Sequence, residues 1–389
     1  MKALVVFDGR FNNNDGKACS HHLTYDLFTT RYLKEFESVT VVGRLFKEPD
    51  YSAKPVTGPN GYFKPIEGYV GPKEFLKTIP STIKTLWRLD TENTVVFLRT
   101  PGTIPLIYSL LLILKNKEFA VEVVADPYDQ LGKDSVEHPI RAFFQHLYTK
   151  LLKWQCRKAS GASYVTEYSL QKRYPPTTKI TSHYTSLNLL PNWYRESARK
   201  FEKKEIYTLI NVGMMNQLYK AQDVLLETVK KLLDRGYSVH LNLIGDGEYR
   251  KRLEELAEEL CVIERVSFLG KISDRQQIIK LLDLSDIFTL PSRQEGLPRA
   301  MIEAMSRALP CVGTNVGGIP ELIDEKFIVE TNDSDSLAEK IALLIENKSE
   351  YEKQSQNNLT KSMEYRSDIV QARRQEFYRK LIELERKHG

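Results

Sequence analysis

Two glutamates, eight positions apart, could bind a ligand that has both hydroxyl and phosphate groups. Glu295 and Glu303 lie in the segment SRQEGLPRAMIEAM, in which a Gly-Leu-Pro sequence separates the first glutamate from a helical pattern. An ionised carboxylate accepts paired hydrogen bonds from vicinal hydroxyl groups. The N–H groups at a helix N-terminus bind phosphate. A sugar nucleotide has both kinds of group, so this segment predicts a sugar-nucleotide site.

The alternative interpretation is a pair of solvated helix charges, and the residues around Glu303 argue against it. They are apolar and predict a buried helix, where a carboxylate is rare unless it has a partner: Ala300, Met301, Ile302, Ala304 and Met305. Pro298 would occupy the first helical position, where the missing N–H group costs nothing. We expect the ligand to contact Ser292 and the backbone N–H groups of Gly296, Leu297 and Arg299.

Lys220 lies in a loop after a predicted strand that ends at Gly213. An ammonium group in this position could neutralise a diphosphate as a point charge. The alternative is a solvated surface lysine. The position of this loop after a glycine-terminated strand favours a binding role for Lys220 and for Gly213.

Two later loops could line the same site. Gly245 and Gly247 flank Asp246 between a strand and a helix, and glycine there lets the backbone approach a ligand closely. A tight turn without a ligand would have the same sequence. Lys271 lies in a loop that could hold a planar base, although capping of the next helix would explain that loop equally well.

The strands that end at these loops must lie side by side for the residues to meet. Short apolar runs alternate with helical patterns, which predicts parallel sheets covered by helices on both faces. Strands are predicted over 2–7, 39–43, 94–98, 121–125 and 162–166, and over 207–213, 240–245, 266–270, 286–290 and 310–314. Open α/β sheets bind ligands at the carboxyl ends of their strands, where the two glutamates are expected.

Two series of strands predict two Rossmann-like α/β domains. The first would span residues 1–195 and the second residues 205–367, with the charged stretch 191–205 as the linker. The last segment, about 368–389, has an amphipathic pattern and predicts a terminal helix.

The charge of the chain is uneven. Residues 1–195 carry 26 basic and 18 acidic residues, a net charge of +8, whereas the whole chain of 389 residues carries +5. Chance variation is one interpretation, and attraction of the first domain to an anionic membrane or a phosphate-bearing acceptor is the other. The first half has no basic stripe with interleaved aromatic residues, so nucleic acid is not an expected partner.

Composition sets further expectations. The chain is 41% hydrophobic, and its cysteines are scattered without metal-ligand spacing, which predicts free thiols and no zinc site. The sequence opens directly with a strand pattern, so no signal peptide is expected. The longest apolar run, 104–114, is too short for a membrane span of about 20 residues. These features predict a cytoplasmic protein.

Taken together, these motifs resemble those of family 4 glycosyltransferases, which are retaining, metal-independent enzymes of the GT-B fold. The resemblance is strongest over about 207–325, in EGLPRAMIEAM followed by GGIPELI. It implies two Rossmann-like domains with parallel sheets that face each other across a cleft. It also implies that the terminal helix crosses back to complete the first domain.

The resemblance implies a role for several residues. Glu303 would bind the ribose hydroxyls, Glu295 the hydroxyls of the donor sugar, and Lys220 the diphosphate as it leaves. Gly16, in FNNNDGK, resembles the glycine that lies over the donor phosphates. The implied reaction retains the anomeric configuration, and the diphosphate is stabilised by fixed positive charge. No metal or other cofactor is expected.

The chain departs from the family pattern at two places. Met214 and Met215 follow Gly213, where relatives usually have an arginine that pairs with the lysine. Asp126, in VVADPYDQLG, stands where many relatives have a histidine, and we assign it a catalytic or acceptor-binding role. Arg99 and His138 are further candidate acceptor contacts.

The acceptor is expected in the first domain. Residues 140–158 combine apolar and basic side chains, which is typical of a core helix with a basic outer face or of a helix that rests on anionic lipid. The predicted function is transfer of a hexose-type sugar to a glycan or polyprenyl-linked acceptor in surface polysaccharide or glycolipid synthesis, at the inner face of the membrane. Two alternatives remain open: a non-catalytic sugar-nucleotide-binding subunit, and an epimerase or hydrolase of the same fold.

Overall fold

Apolar strands alternate with helices in both halves of the chain, and each half folds around its own sheet in the computed structural model, which describes residues 1–132 and 139–388. The strands of the first half are β1 (Lys2–Asn14), β2 (Lys17–Ser20), β3 (Ser38–Phe46), β4 (Lys54–Pro55), β5 (Gly61–Glu67), β6 (Thr94–Thr100), β7 (Ala120–Val123), β8 (Gly161–Tyr164) and β9 (Thr181–His183). Its helices are α1 (Thr30–Leu33), α2 (Gly71–Trp87), α3 (Thr103–Leu114), α4 (Pro127–Gln130), α5 (Arg141–Lys158) and α6 (Ser169–Arg173).

The sheet of the first domain is parallel except for one hairpin. Its parallel strands follow the order β5-β3-β1-β6-β7-β8-β9. Strand β2 pairs antiparallel with the distal end of β1, and β4 pairs antiparallel with β2. The predicted strands are all present. The sequence patterns missed β2, β4, β5 and β9. The reason is clearest in β5, an edge strand in which most side chains are exposed and which contains Pro65, and an exposed edge strand tolerates proline and polar residues.

The second half forms a parallel sheet in the order β12-β11-β10-β13-β14-β15. Its strands are β10 (Tyr207–Val212), β11 (Val239–Ile244), β12 (Val266–Gly270), β13 (Ile287–Leu290), β14 (Cys311–Thr314) and β15 (Ile328–Val329). Its helices, together with those that end the chain, are α7 (Gln222–Asp234), α8 (Arg250–Glu259), α9 (Arg275–Leu284), α10 (Arg299–Ser306), α11 (Ser334–Glu346), α12 (Lys348–Ser362) and α13 (Ser367–His388). The order changes direction between β10 and β13, and loops at such a switch point form ligand sites.

The terminal helix α13 packs on the first domain although it follows the second in the chain. Phe377, Tyr378 and Leu381 are buried in the same core as Val5 and Phe97 of β1 and β6. Burial of a large apolar side chain stabilises a fold by about 1.5–3 kcal/mol, so several such residues hold the helix in place. The expected return of the terminal helix is confirmed.

The segment between the sheets lies against the second domain. The guanidinium group of Arg199 donates to the carbonyl oxygens of Leu282, Ser285 and Arg307 at 2.5–2.9 Å. The proposed boundary between residues 195 and 205 stays a prediction. Within the described ranges, none of the helices combines the length and apolarity needed to cross a membrane.

Candidate functional site

Lys220 and Glu295 form an ion pair where two loops of the second domain meet. The Lys220 Nζ atom lies 2.5 Å from Glu295 Oε1, and Ser292 Oγ donates to the same oxygen at 2.7 Å. The side chains are only 16% and 8% exposed. The lysine ends a single 3-10 turn, Leu218–Lys220. Residues far apart in sequence are thus assembled into a shielded pair of opposite charges, and a bound phosphate would compete with Glu295 for Lys220.

Arg293 connects the loop that contains Glu295 with the loop that contains Lys220. Its guanidinium group pairs with both carboxylate oxygens of Asp223 at 3.0 and 2.8 Å and donates to the carbonyl of Leu218 at 2.5 Å. Its backbone N–H donates to the carbonyl of Tyr219 at 2.7 Å. Bidentate pairs of this kind fix geometry as well as charge. The sequence analysis missed Arg293, because no local pattern indicates a partner 70 positions away.

The glycines of GGIPELI hold the Glu295 loop from the other side. Gly317 has a φ of +52°, and a Cβ atom there would lie 2.2 Å from the carbonyl oxygen of Glu295. The N–H group of Gly318 donates to the carbonyl of Gly296 at 2.7 Å. Only glycine fits such a conformation at such a close approach.

Glu303 lies on α10 with its carboxylate largely withdrawn from water. Burial raises its pKa, and the charges of Arg299 and Arg275 oppose that rise. A carboxylate removed from water is stabilised by groups that donate hydrogen bonds to it, such as vicinal hydroxyls. The helix begins at Arg299 with Pro298 as its N-cap, so the expectation that Pro298 is the first helical residue is wrong by one position.

One cavity of about 560 Å³ unites most of the predicted residues. This volume is within the usual range for small-molecule sites. Its lining includes Gly213, Lys220, Gly245, Lys271, Glu295, Gly296, Leu297, Arg299 and Glu303. Met214, 39% exposed, also lines it, whereas Met215 is buried. Arg299 and Lys271 therefore add positive charge where the arginine of relatives is missing.

The GDG loop packs closely against the loop that follows β10, and its Gly245 lines the cavity. A Cβ atom on Gly245 would lie 1.9 Å from the carbonyl oxygen of Gly213, and one on Gly247 would lie 2.3 Å from the backbone nitrogen of Asn216. These glycines let two loops of the same domain pack together. Asp246 accepts from the N–H of Gly247 at 2.8 Å and lies 3.6 Å from the Arg250 guanidinium. Its carboxylate thus stabilises its own loop, and the expected ligand contact of Asp246 stays a prediction.

Gly16 lies in a turn between two strands, and its expected role over the donor phosphates stays a prediction. Strand β1 continues to Asn14, because its pairing with β3 resumes at Arg10 after an irregularity. Gly16 is therefore in the tight turn of the β1–β2 hairpin, with a φ of +83° and no atom within 4 Å of a Cβ placed on it. His22, further along this segment, approaches the second domain. Its pKa is lowered by burial and by the charges of Arg299, His21 and Lys271.

Asp126 is the N-cap of α4 and also lines the cavity that contains Lys220 and Glu295. It accepts from the N–H of Tyr128 at 2.8 Å and from the Tyr174 hydroxyl at 2.5 Å, and it pairs with Arg173. Both carboxylate oxygens have partners, which leaves the group little capacity for chemistry on a substrate. The side chain is buried. The predicted catalytic or acceptor role of Asp126 stays a prediction.

The two remaining acceptor candidates have different outcomes. Arg99 is held by a buried ion pair with Glu122 at 2.8 Å and stacks over Phe28 at 5.1 Å. It nevertheless lines a second cavity between the domains. His138 lies outside the described residues.

The comparisons with known proteins first identify the fold. Sucrose-phosphate synthase from Thermosynechococcus elongatus aligns with 99% of this chain and 100% of its own, at a TM-score of 0.72 and 14% identity. HepE from Anabaena, solved in complex with UDP-glucose, aligns over 98% and 100% at a TM-score of 0.66 and 15% identity. The architecture is GT-B, as expected.

The family follows from the sequence. Residues 194–361, which include most of the second domain, match the family model of glycosyl transferases group 1. Protein CapJ of Staphylococcus aureus is similar over nearly the whole length, with 26% identity over 370 residues, 90% of this chain and 89% of that protein. The resemblance to family 4 glycosyltransferases is confirmed.

Proposed function

We propose that this protein is a retaining glycosyltransferase that moves a hexose-type sugar from a nucleoside diphosphate sugar to a glycan or lipid-linked glycan. The observation that carries the proposal is the shielded Lys220–Glu295 pair in the cavity that Glu303 also lines. The family of the second domain supports a glycosyltransferase. The likeness to HepE, solved with UDP-glucose, makes a uridine donor the first to test.

The cavity has a group for each part of such a donor. Glu303 accepts hydrogen bonds from the ribose hydroxyls, and Glu295 accepts them from the sugar. Lys220 leaves Glu295 to pair with the diphosphate, and Arg299 and Lys271 of the same cavity contribute further positive charge. Fixed cations that meet charge as it develops stabilise a transition state without rearrangement.

In the proposed reaction, the bond between the anomeric carbon and the diphosphate oxygen breaks. The acceptor hydroxyl forms its bond to that carbon on the same face of the sugar, and its proton passes to the departing diphosphate. The side chains above supply the positive charge, so the proposal requires no metal ion. Retention is part of the proposal and follows from the family resemblance.

We also propose that the acceptor approaches from a membrane surface along α5. Phe143 is 65% exposed and Phe144 is 37% exposed near the start of this helix, whereas Leu152 and Cys156 are buried further along it. Exposed aromatic residues beside basic ones are typical of helices that rest on anionic lipid. In this proposal, the N-terminal half of α5 rests on anionic lipid, and the C-terminal half is a core helix.

A donor screen tests the proposal. The protein is incubated with UDP-, GDP- and ADP-sugars, with and without a lipid extract as acceptor, and release of nucleoside diphosphate and product anomer are measured. Release that depends on the extract, with an α product from an α donor, is the expected result. An inverted product would contradict retention.

A non-catalytic sugar-nucleotide-binding subunit is the second candidate. The observations that favour it are Met214 at the phosphate side of the cavity and the structural role of Asp126. Tight binding of a sugar nucleotide without turnover, even with acceptor extract, would support this candidate and exclude the first.

A further inference from the structure

A second cavity, of about 420 Å³, adjoins the donor cavity and reaches into the first domain. The two cavities share Gly296, Leu297, Arg299 and Glu303. The first-domain wall of the second cavity contains three arginines, Arg31, Arg99 and Arg374. An acceptor in this cavity would adjoin a sugar bound beside Glu295.

Two of these arginines are held next to each other by the same stretch of backbone. Arg31 donates from Nη2 to the carbonyl of Ser186 at 2.9 Å, and Arg374 donates from Nη2 to the carbonyl of Thr185 at 2.7 Å. Arg374 also stacks over the ring of Tyr184 at 4.9 Å and is only 5% exposed. Successive carbonyls therefore anchor two guanidinium groups that come from α1 and α13, the opposite ends of the chain.

The charge of this wall is not balanced. Glu122 is buried there, but Arg99 binds it at 2.8 Å and the hydroxyls of Tyr32 and Tyr184 donate to it at 2.7 Å. Within residues 1–132 and 139–388, neither Arg31 nor Arg374 forms an ion pair with a carboxylate. Burial and, to a lesser degree, the charges of Arg374 and Arg99 lower the pKa of Arg31 to about 10. Among the described residues, Arg31 and Arg374 thus have no carboxylate partner on this wall. The second-domain lining adds Arg275, Arg299 and Glu303, so the cavity as a whole stays positive.

A buried charge is costly unless a partner of opposite sign is present, so the pair requires an anion. Resting on the proposed function, we propose that Arg31 and Arg374 bind a phosphate group of the acceptor, one that carries about two negative charges. The planar fork of a guanidinium group matches phosphate oxygens. A phosphate monoester carries about −1.5 to −2 at pH 7, which balances the two arginines, whereas a single carboxylate does not.

The donor diphosphate is a less suitable occupant of this position. Lys220 and Lys271 line the donor cavity and do not line the second one. The phosphate that Arg31 and Arg374 bind therefore belongs to the other substrate. Two sources share this chemistry, a phosphorylated sugar and the diphosphate of a lipid-linked glycan.

Binding of inorganic phosphate to the UDP-saturated protein, measured by calorimetry, tests the site. We expect Arg31→Gln and Arg374→Gln each to weaken phosphate binding by about ten- to a hundredfold, as loss of a charge-assisted hydrogen bond does. Arg31→Lys, which keeps the charge and loses the fork, should weaken it less. The matched control is Arg379→Gln on α13, where Arg379 is exposed and pairs with Glu35; its phosphate affinity should equal that of the wild type.

UDP affinity and thermal unfolding of each variant separate this proposal from others. Unchanged UDP affinity, with weaker phosphate binding by both folded variants, supports the site. Phosphate affinity that is the same in all variants, or phosphate binding that UDP abolishes, overturns it. If the wild type binds phosphate through these arginines but binds no nucleotide, the proposed function fails while the anion site stands.

Comparison of three further ligands identifies the source. Glucose 6-phosphate that binds more tightly than octyl diphosphate indicates a phosphorylated sugar, and the reverse indicates a lipid-linked glycan. Glucuronate that binds as tightly as either would overturn the assignment to phosphate.

Discussion

At the scale of single residues, the two glutamates of the site, Glu295 and Glu303, have different electrostatic partners. Glu295 is paired with Lys220, whereas Glu303 is half-buried near two arginines without a direct ion pair among the described residues. A bound ligand would therefore replace an existing ion pair at Glu295 and add hydrogen bonds at Glu303. Under the proposed function, the donor sugar and diphosphate separate Glu295 from Lys220, and the ribose hydroxyls donate hydrogen bonds to Glu303.

Replacement of each glutamate should separate binding from transfer. Glu303→Gln should weaken UDP binding by about 1.5–3 kcal/mol, because a charge-assisted hydrogen bond is lost. Glu295→Gln should leave UDP affinity within a few fold and abolish sugar transfer. Calorimetry with UDP and a transfer assay measure the two effects, and each variant is the control for the other. Identical behaviour of the two variants would show that the donor is placed wrongly.

The raised pKa of Glu303 predicts a dependence of nucleotide binding on pH. Ribose hydroxyls donate to the ionised carboxylate, and protonation removes that acceptor. Because burial raises this pKa above its ordinary value, UDP affinity should fall with decreasing pH at a midpoint above that of an ordinary glutamate. UDP titrations across acidic pH measure this, with Glu303→Gln as the control that lacks the transition. A wild-type curve that matches that of Glu303→Gln would contradict the role of this carboxylate.

Gly317 should be essential for activity because of its contact and not only because of its conformation. Gly317→Ala places a Cβ atom 2.2 Å from the Glu295 carbonyl oxygen and must move the Glu295 loop. Gly236→Ala is a matched control, because Gly236 also has a positive φ, +87°, but no atom within 4 Å of the added Cβ. Gly236→Ala should cost about 1–2 kcal/mol of stability for its conformation alone, and Gly317→Ala should cost more because of the added clash.

Only Gly317→Ala should also lower transfer activity. Chemical denaturation and the transfer assay distinguish the two effects. Equal activity of the two alanine variants would mean that the Glu295 loop tolerates displacement.

At the scale of elements, the carboxylate of Glu321 connects a loop of the second domain with a loop of the first. Glu321 follows the paired glycines of the second domain, and it accepts from the backbone N–H groups of Glu167, Tyr168 and Ser169 at 2.6, 3.2 and 2.5 Å. These N–H groups are at the start of α6 in the first domain, and a carboxylate at that end of a helix is favourable. The same glycine-rich turn therefore supports Glu295 and connects the domains.

Loss of this carboxylate should loosen the contact between the domains. Glu321→Ala leaves three N–H groups without their acceptor, so amide hydrogen exchange over residues 167–169 should accelerate. Glu325→Ala, which removes an exposed carboxylate nearby, is the control and should leave the exchange unchanged. Slow exchange in Glu321→Ala would mean that other contacts hold the domains together.

At the scale of the whole molecule, the chain forms two sheets and then returns to the first. The basic first domain, with a net charge of +8 over residues 1–195, contains the exposed phenylalanines of α5 and the arginine pair. The second domain contains the group 1 glycosyltransferase segment. A cleft between two such domains suits an acceptor and a donor that come from different environments.

The α5 surface should bind anionic vesicles. A Phe143→Ser, Phe144→Ser double variant should reduce sedimentation with phosphatidylglycerol vesicles, because exposed apolar area and anionic lipid act together. Wild-type protein with phosphatidylcholine vesicles controls for the charge. A Tyr51→Ser variant, which removes an aromatic side chain that is 73% exposed elsewhere in the first domain, controls for loss of exposed aromatic area. Undiminished sedimentation of the double variant would exclude this helix as the contact.

The sequence by itself determined the features that depend on local periodicity and spacing. Apolar strands alternating with helices indicated two parallel sheets, because strand and helix patterns depend on near neighbours. The spacing of Glu295 and Glu303 also predicted that the two residues share one site, and both line the same cavity. Only the tertiary structure decided which partners distant residues have. In the structure, Asp126 is an N-cap that binds Arg173, and Gly16 lies in a hairpin turn. Arg31 and Arg374 line the same cavity wall because α13 returns to the first domain, and no local sequence pattern encodes this proximity.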